Sequence, residues 1–268
     1  LKTTAKVRNQ LREIAGDLLR LYAARNEITR PPFPADDIDF KKFEAAFPYD
    51  ETEDQLKAIH AISKDMSGFK PMDRLICGDV GFGKTEIAMR ATFKAIEGRR
   101  QVAILSPTTV LCFQHVETFK RRFKDWPIRI ASFNRFVSSA ETKKNLIDLK
   151  EGKIDIAIGT HRLFSKDVAF KDLGLLIIDE EQRFGVVHKE KIRQLRQNVD
   201  TLAMSATPIP RTLNMSLVGL RDLSLINTAP QDRLPTRTFV CKRDDETIRR
   251  AILSEIGRGG QVFFIHNR

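Results

Sequence analysis

Cys77-Gly78-Asp79-Val80-Gly81-Phe82-Gly83-Lys84-Thr85 carries the spacing G-x-x-x-x-G-K-T. The apolar run Leu75-Ile76-Cys77 precedes it as a buried strand, and residues 86–96 follow with the pattern of a helix. Strand, glycine-rich loop and helix are the context in which this spacing cradles phosphate groups. The glycines let the backbone curl so that its N–H groups point inward, and the helix N-terminus adds positive potential. In such a loop Gly78, Asp79, Val80, Gly81, Phe82, Gly83 and Glu86 line the nucleotide. Lys84 reaches the β- and γ-phosphates of ATP, and Thr85 ligates Mg2+.

Toward the N-terminus, Thr52-Glu53-Asp54-Gln55 opens a helix that runs to Met66, with Thr52 as N-cap and acidic residues in the first turn. A shorter helix is predicted from Asp39 to Phe47. A glutamine and an aromatic just ahead of a phosphate-binding strand suit adenine. The Gln55 amide pairs with the base edge, and Phe47 or Tyr49 stacks on its face. On sequence grounds Phe47 serves equally as a core residue. Further upstream, Val7, Leu11, Ile14, Leu18, Leu21 and Tyr22 recur at three- and four-residue steps, which predicts one amphipathic helix over residues 1–26. The proline cluster Pro31-Pro32-Phe33-Pro34 closes that segment. Residues 1–30 read either as a connector to something upstream or as an ordinary packed helix.

Lys and Arg number 46 against 35 Asp and Glu, a net charge of +11 over 268 residues. That balance favours a polyanionic partner. A hydrophobic share of 41% is enough for a core, while no apolar run approaches the roughly 20 residues of a membrane span. No membrane partner is expected. The start Leu1-Lys2-Thr3 is polar, has no signal-peptide pattern and lacks Met, which points to a piece of a longer protein. Cys77, Cys112 and Cys241 lie far apart in apolar or strand-like settings, as expected of reduced thiols in a cytoplasmic protein. The histidines show no paired ligand spacing, so no metal beyond Mg2+ is expected.

After the phosphate loop, short apolar strands recur with helices between them. Val102–Leu105 leads to Ser106-Pro107-Thr108-Thr109, Ile128–Ala131 follows a basic aromatic helix, and Ile154–Ile158 leads to Gly159-Thr160-His161-Arg162. Leu175–Ile178 leads to Asp179-Glu180-Glu181-Gln182, and Leu202–Met204 to Ser205-Ala206-Thr207. Near-continuous apolar strands with intervening helices predict an α/β fold with a mostly parallel sheet flanked by helices. Sites in such sheets lie outside the carboxyl ends of the strands. The polar strand ends are therefore expected to gather on one edge. Asp179 there holds Mg2+, and Glu180 polarises the attacking water as general base. In the helix before Ile128, Phe119 and Phe123 fall at helical spacing and are expected in the core, with Arg121 and Arg122 solvated.

Gly78–Thr85, Pro107-Thr108-Thr109, Gly159-Thr160-His161, Asp179-Glu180-Glu181-Gln182 and Ser205-Ala206-Thr207 together resemble motifs I, Ia, Ib, II and III of superfamily 2 helicases and translocases. Gln55 resembles their Q-motif glutamine. Met72–Glu86, Asp179–Val186 and Ala206–Met215 resemble the bacterial transcription-repair coupling factor (Mfd) family, and RecG-type helicases share much of the last two stretches. The resemblance implies a RecA-like P-loop NTPase lobe over residues 31–232. It implies that Thr108, Thr109, Thr160, His161 and Arg162 grip the phosphates of double-stranded DNA without reading sequence. It further implies that Gln182, Ser205 and Thr207 couple the nucleotide to DNA movement, with Arg211 nearby. The family often has histidine where this chain has Gln182, so a protonation-based role is not expected there.

From residue 233 the character changes. Residues 246–258 read as a helix stopped by Gly259-Gly260, and Gln261–Arg268 resembles the opening strand of a second RecA-like lobe. Motifs V and VI of the family, with their arginine finger, have no counterpart within the 268 residues. The resemblance thus implies ATP binding with weak hydrolysis by this chain, and contacts to RNA polymerase and repair proteins through domains outside it. A fork-remodelling helicase lobe and a nucleotide-gated DNA-binding module without turnover are the other expectations.

Overall fold

The computed structural model describes residues 27–185, 191–192, 199–206, 221–231 and 238–266. The chain divides between Gln231 and Asp232 into two compact units. The predicted helix over residues 1–26 lies outside the described residues.

In the first unit the strands are β1 (Asp73–Gly78), β2 (Gln101–Leu105), β3 (Ile130–Phe133), β4 (Ile156–Gly159), β5 (Leu173–Asp179), β6 (Asp200–Ser205) and β7 (Asp222–Ile226). They form one sheet in the order β3-β4-β2-β5-β6-β1-β7, and every pairing is parallel. The helices are α1 (Ile38–Ala45), α2 (Glu53–Met66), α3 (Lys84–Glu97), α4 (Thr109–Arg122) and α5 (Ser139–Lys150). This is the parallel α/β architecture that the sequence predicts.

The central strands are apolar on both sides because both faces are covered. Ile76, Val102, Ile104, Ile156, Ile158, Leu175, Ile177, Leu202 and Met204 share one core with Phe43, Ile62, Phe93, Phe119 and Phe123. Their chain neighbours Leu75, Ala103, Leu105, Ala157, Leu176, Ile178 and Ala203 fall into a second core with Leu149, Phe164 and Phe184. The alternation follows the two-residue period of a strand. Strand β7 was not expected from the sequence. It is an edge strand, with Asp222 and Leu225 exposed and Ser224 and Ile226 buried, so it lacks the continuous apolar run that marks the others.

The N-cap reading of Thr52 holds. Its hydroxyl accepts from Gln55 N, and the Gln55 side chain accepts from Thr52 N, a reciprocal box that satisfies two otherwise unpaired donors. The proline-rich segment is strapped to the base of the sheet. Arg30 N donates to Phe69 O at 2.7 Å, and the Arg30 guanidinium reaches Met66 O, Gly68 O and the buried Asp200 that opens β6.

At the end of α3, Glu97 lies beside Asp37, the N-cap of α1. Burial, and then the neighbouring Asp37, push the Glu97 carboxyl up to about 8. Protonated, Glu97 shares a hydrogen bond with Asp37; with both ionised, neither Glu97 oxygen has a partner. A carboxyl whose pKa is raised on folding stabilises most below its unfolded value, and that contribution drains away as pH rises through the folded value. Between pH 5 and pH 8 the protein should therefore lose thermal stability relative to Glu97→Gln. At pH 8.5 the variant is expected to melt higher by roughly 3 °C. Melting curves of the two proteins that run parallel across this range would refute the assignment.

The second unit contains α6 (Asp245–Gly257), capped by Asp244, whose carboxylate accepts from Glu246 N and Thr247 N. Gly259 ends the turn with φ +77°, as its place after the helix predicts. Residues 261–266 are not a strand, against expectation, and 238–241 are likewise irregular. A strand exists only by pairing, and among the described residues none lies alongside. Phe263 and Ile265 are correspondingly exposed. Residues 235–237 and 267–268 lie outside the described residues.

Candidate functional site

The phosphate loop follows β1, and its glycines are dictated by space and backbone. A Cβ at Gly78 would lie 2.9 Å from Ile226 Cβ on the adjacent edge strand. Gly81 and Gly83 have φ of +83° and +78°, the left-handed region that side chains disfavour. Gly83 caps α3 with no side-chain bond to the helix N–H groups, while Glu86 N and Ile87 N donate back to Gly83 O. Lys84 Nζ bridges the loop, 2.5 Å from Gly78 O and 2.9 Å from Asp79 O. Burial pulls its pKa down, against the opposing pull of Glu180 and Asp179. Thr85 follows in the first helical turn.

Other loop residues behave differently. Asp79 Oδ1 accepts from Val80 N at 2.7 Å, Val80 is exposed, and Phe82 packs against the core. Glu86 was expected at the nucleotide. Its carboxylate is instead enclosed by Arg90 (Nε 3.2 Å) and by Arg122 (Nε 3.0 Å, Nη2 2.8 Å). The same bonds correct the expectation of a solvated Arg122. Its guanidinium lies 3.8 Å over the Phe43 ring and donates to Phe43 O, while Arg121 is exposed. Phe119 and Phe123 are core residues as predicted.

Among the residues expected to meet adenine, Gln55 is buried, with its amide held at both ends by Thr52 and by Phe82 O at 2.9 Å. Phe47 meets Tyr49 edge-on at 5.5 Å, and the Arg90 and Arg122 guanidinium groups lie 5.7 and 5.9 Å from its ring centre. Sequence reasoning missed both arginines here, because nothing in helical spacing places them over an aromatic from another segment.

The acidic pair ends β5. Glu180 is left-handed at φ +47°, a conformation a non-glycine residue holds only when its surroundings fix it. Three bonds do so: Glu180 N donates to Met204 O, Ala206 N donates to Glu180 Oε1 at 3.1 Å, and Gln182 Nε2 donates to Glu180 Oε2. Ser205 Oγ in turn donates to Gln182 Oε1 at 3.2 Å. Thus Glu180, Gln182 and Ser205 form one chain at the ends of neighbouring strands β5 and β6. The phosphate loop follows β1, the next strand along. Thr207 and Arg211 lie outside the described residues. Asp179 Oδ2 is 2.9 Å from His115 Nε2 on α4, a partner that no sequence spacing signalled.

The predicted DNA contacts follow β2 and β4, adjacent strands on the other flank of the same edge. Thr108 caps α4, its exposed hydroxyl accepting from Leu111 N at 3.2 Å, and Thr109 is half-buried. His161 is exposed. Arg162 makes a two-pronged pair with Asp167 at 2.7 and 2.6 Å, which raises its own pKa and lowers that of Asp167. Thr160 departs from expectation: it is buried where β4 turns into the following helical turn, so its side chain is not presented to a duplex.

The residues fit ATP and Mg2+. The glycine cradle leaves helix N–H donors uncapped, and the oxygen donors of Thr85 and Asp179 suit a hard cation. Among the described residues no cluster of three or more His, Cys, Asp or Glu side chains forms another metal site. No described helix is long and apolar enough to cross a membrane.

Residues 52–216 match the family model described as DEAD/DEAH box helicase. The transcription-repair-coupling factor of Bacillus subtilis is 56% identical over 263 residues, which is 98% of this chain and 22% of that protein. The factor of the same name from Escherichia coli is 52% identical over 262 residues, 98% of this chain and 23% of that protein. The chain thus spans less than a quarter of the length of these curated relatives. Among solved structures, RecG bound to a three-way DNA junction superposes with a TM-score of 0.76 and 32% identity, covering 93% of this chain and 35% of that one. The DUF1998 helicase MrfA bound to DNA shares the fold, with a TM-score of 0.60 at 17% identity over 85% of this chain and 36% of that one.

Proposed function

The chain belongs to the DEAD/DEAH box helicase family, and from that premise we propose that it is the ATP-binding lobe of a double-stranded DNA translocase acting in transcription-coupled repair. The observation that carries this reading is the convergence of Lys84, the Asp179–Glu180 pair and the Gln182–Ser205 chain at the ends of β1, β5 and β6. Identity of 52–56% to transcription-repair-coupling factors, against 32% to RecG, favours displacement of a stalled RNA polymerase over fork remodelling. In this reading polymerase and repair partners meet the portions of those relatives that the chain does not span. Work on chromosomal DNA would place it in the cytoplasm.

The N–H groups of Gly81, Gly83, Lys84 and Thr85 receive the phosphate oxygens, and Lys84 Nζ exchanges Gly78 O and Asp79 O for the β- and γ-phosphates. Thr85 and Asp179 hold Mg2+, which when bound neutralises charge on the phosphates. Glu180 accepts a proton from the attacking water, and Ser205 holds Gln182 so that the Glu180 carboxylate keeps its angle. Thr108, Thr109 and His161 contact the duplex backbone, where contacts position without reading sequence. The 268-residue chain alone binds ATP·Mg2+ and turns it over slowly.

Two titrations test this. A fluorescent ATP analogue should bind in Mg2+, and a labelled duplex of arbitrary sequence should bind with an affinity that falls steeply as salt rises. ATP turnover with and without duplex completes the set. Failure to bind the nucleotide, or duplex affinity indifferent to salt, would overturn the reading.

A further inference from the structure

We infer that His115 is a positioning residue for the cation-binding carboxylate, its ring holding Asp179 in the orientation that receives Mg2+. The inference rests on the assignment of Asp179 to Mg2+ made above. His115 Nε2 lies 2.9 Å from Asp179 Oδ2, and both side chains are largely buried. An ionised carboxylate has only acceptors, so Nε2 carries the hydrogen. His115 is the one side-chain hydrogen-bond partner of Asp179 among the described residues. The ring is itself fixed, meeting Phe119 edge-on at 6.4 Å, and Phe119 is anchored in the core. A donor held this way pins Oδ2 and leaves Oδ1 outside that bond. Groups hydrogen-bonded to metal ligands orient them, and their removal typically costs 10–100-fold in metal affinity. A histidine that merely filled space would have no such effect.

The test uses the whole chain and the Mg2+ dependence of binding a fluorescent ATP analogue, which needs no turnover. His115→Phe keeps the ring against Phe119 and removes the donor. His115→Gln sets an amide nitrogen close to the former Nε2. The Phe variant should need about tenfold more Mg2+ for half-maximal binding, with binding in EDTA unchanged. The Gln variant should stay within about threefold of the unsubstituted chain. Thermal melting reports whether each folds; if His115→Phe does not, His115→Asn, whose shorter amide falls short of Asp179, replaces it. An unchanged Mg2+ requirement in the donor-free variant overturns the inference, as does equal impairment in both variants. If the unsubstituted chain binds no nucleotide, the assignment of the site itself falls, and His115 with it.

Discussion

Lys84→Ala is expected to weaken ATP·Mg2+ binding by about 10²–10⁴-fold while leaving the fold intact. The ammonium sits between the loop carbonyls of Gly78 and Asp79 and near both Asp179 and Glu180. Bound to a nucleotide it would make two charge-assisted bonds to phosphate oxygens, each worth roughly 1.5–3 kcal/mol. Each 1.4 kcal/mol is tenfold in affinity, which sets the range. The fold should tolerate the change because burial already works against the charge, as the lowered pKa of Lys84 records. The melting midpoint should move by no more than about 2 °C. Isothermal titration with a non-hydrolysable ATP analogue, beside melting curves, separates the two effects. A loss of affinity under threefold would mean that Nζ stays on the loop carbonyls and never reaches phosphate.

What could be read in the chain, and what could not, follows from the range of the forces. The phosphate loop was legible because its constraints are local: left-handed glycines, a strand before and a helix after, all within a few residues. Strands β2, β4, β5 and β6 were legible for the same reason, as short continuous apolar runs followed by polar residues. Edge strand β7 was not, since half its residues face solvent and its pattern resembles a loop. Arg122 was misread because helical spacing shows only that it leaves the Phe119–Phe123 face. It does not show that Glu86 and Phe43 close over it from other segments. Thr160 followed the motif in sequence but is enclosed by the turn in which β4 ends. His115 and Asp179 meet across 64 residues, a separation no periodicity encodes. The Glu180–Gln182–Ser205 chain was anticipated as residues but not as bonds, because its geometry depends on the left-handed turn at Glu180.

Arg221→Met should be the most destabilising of the substitutions considered. Arg221 precedes β7 with its side chain almost wholly buried, its Nε 2.9 Å from Asp73 Oδ1 and its Nη1 2.9 Å from Glu181 Oε2. Burial disfavours the guanidinium charge, but Asp73 and Glu181 outweigh it and hold the pKa above its ordinary value. Asp73 opens the strand that delivers the phosphate loop, and Glu181 follows Glu180, so one arginine ties both elements to the start of β7. Removing one member of a buried ion cluster leaves the others uncompensated and typically costs 3–5 kcal/mol. In a unit of this size that corresponds to a fall in melting midpoint of roughly 10 °C. Part of the cost lies with the two carboxylates that lose the arginine, so Arg221→Met combined with Asp73→Asn and Glu181→Gln should recover part of it. Arg221→Lys should fall between, since it keeps the charge but cannot fork to two carboxylates at once. Melting within about 2 °C of the unsubstituted chain for Arg221→Met would show that the cluster contributes little net stability. Failure of the triple variant to recover would instead assign the loss to packing around the arginine stem.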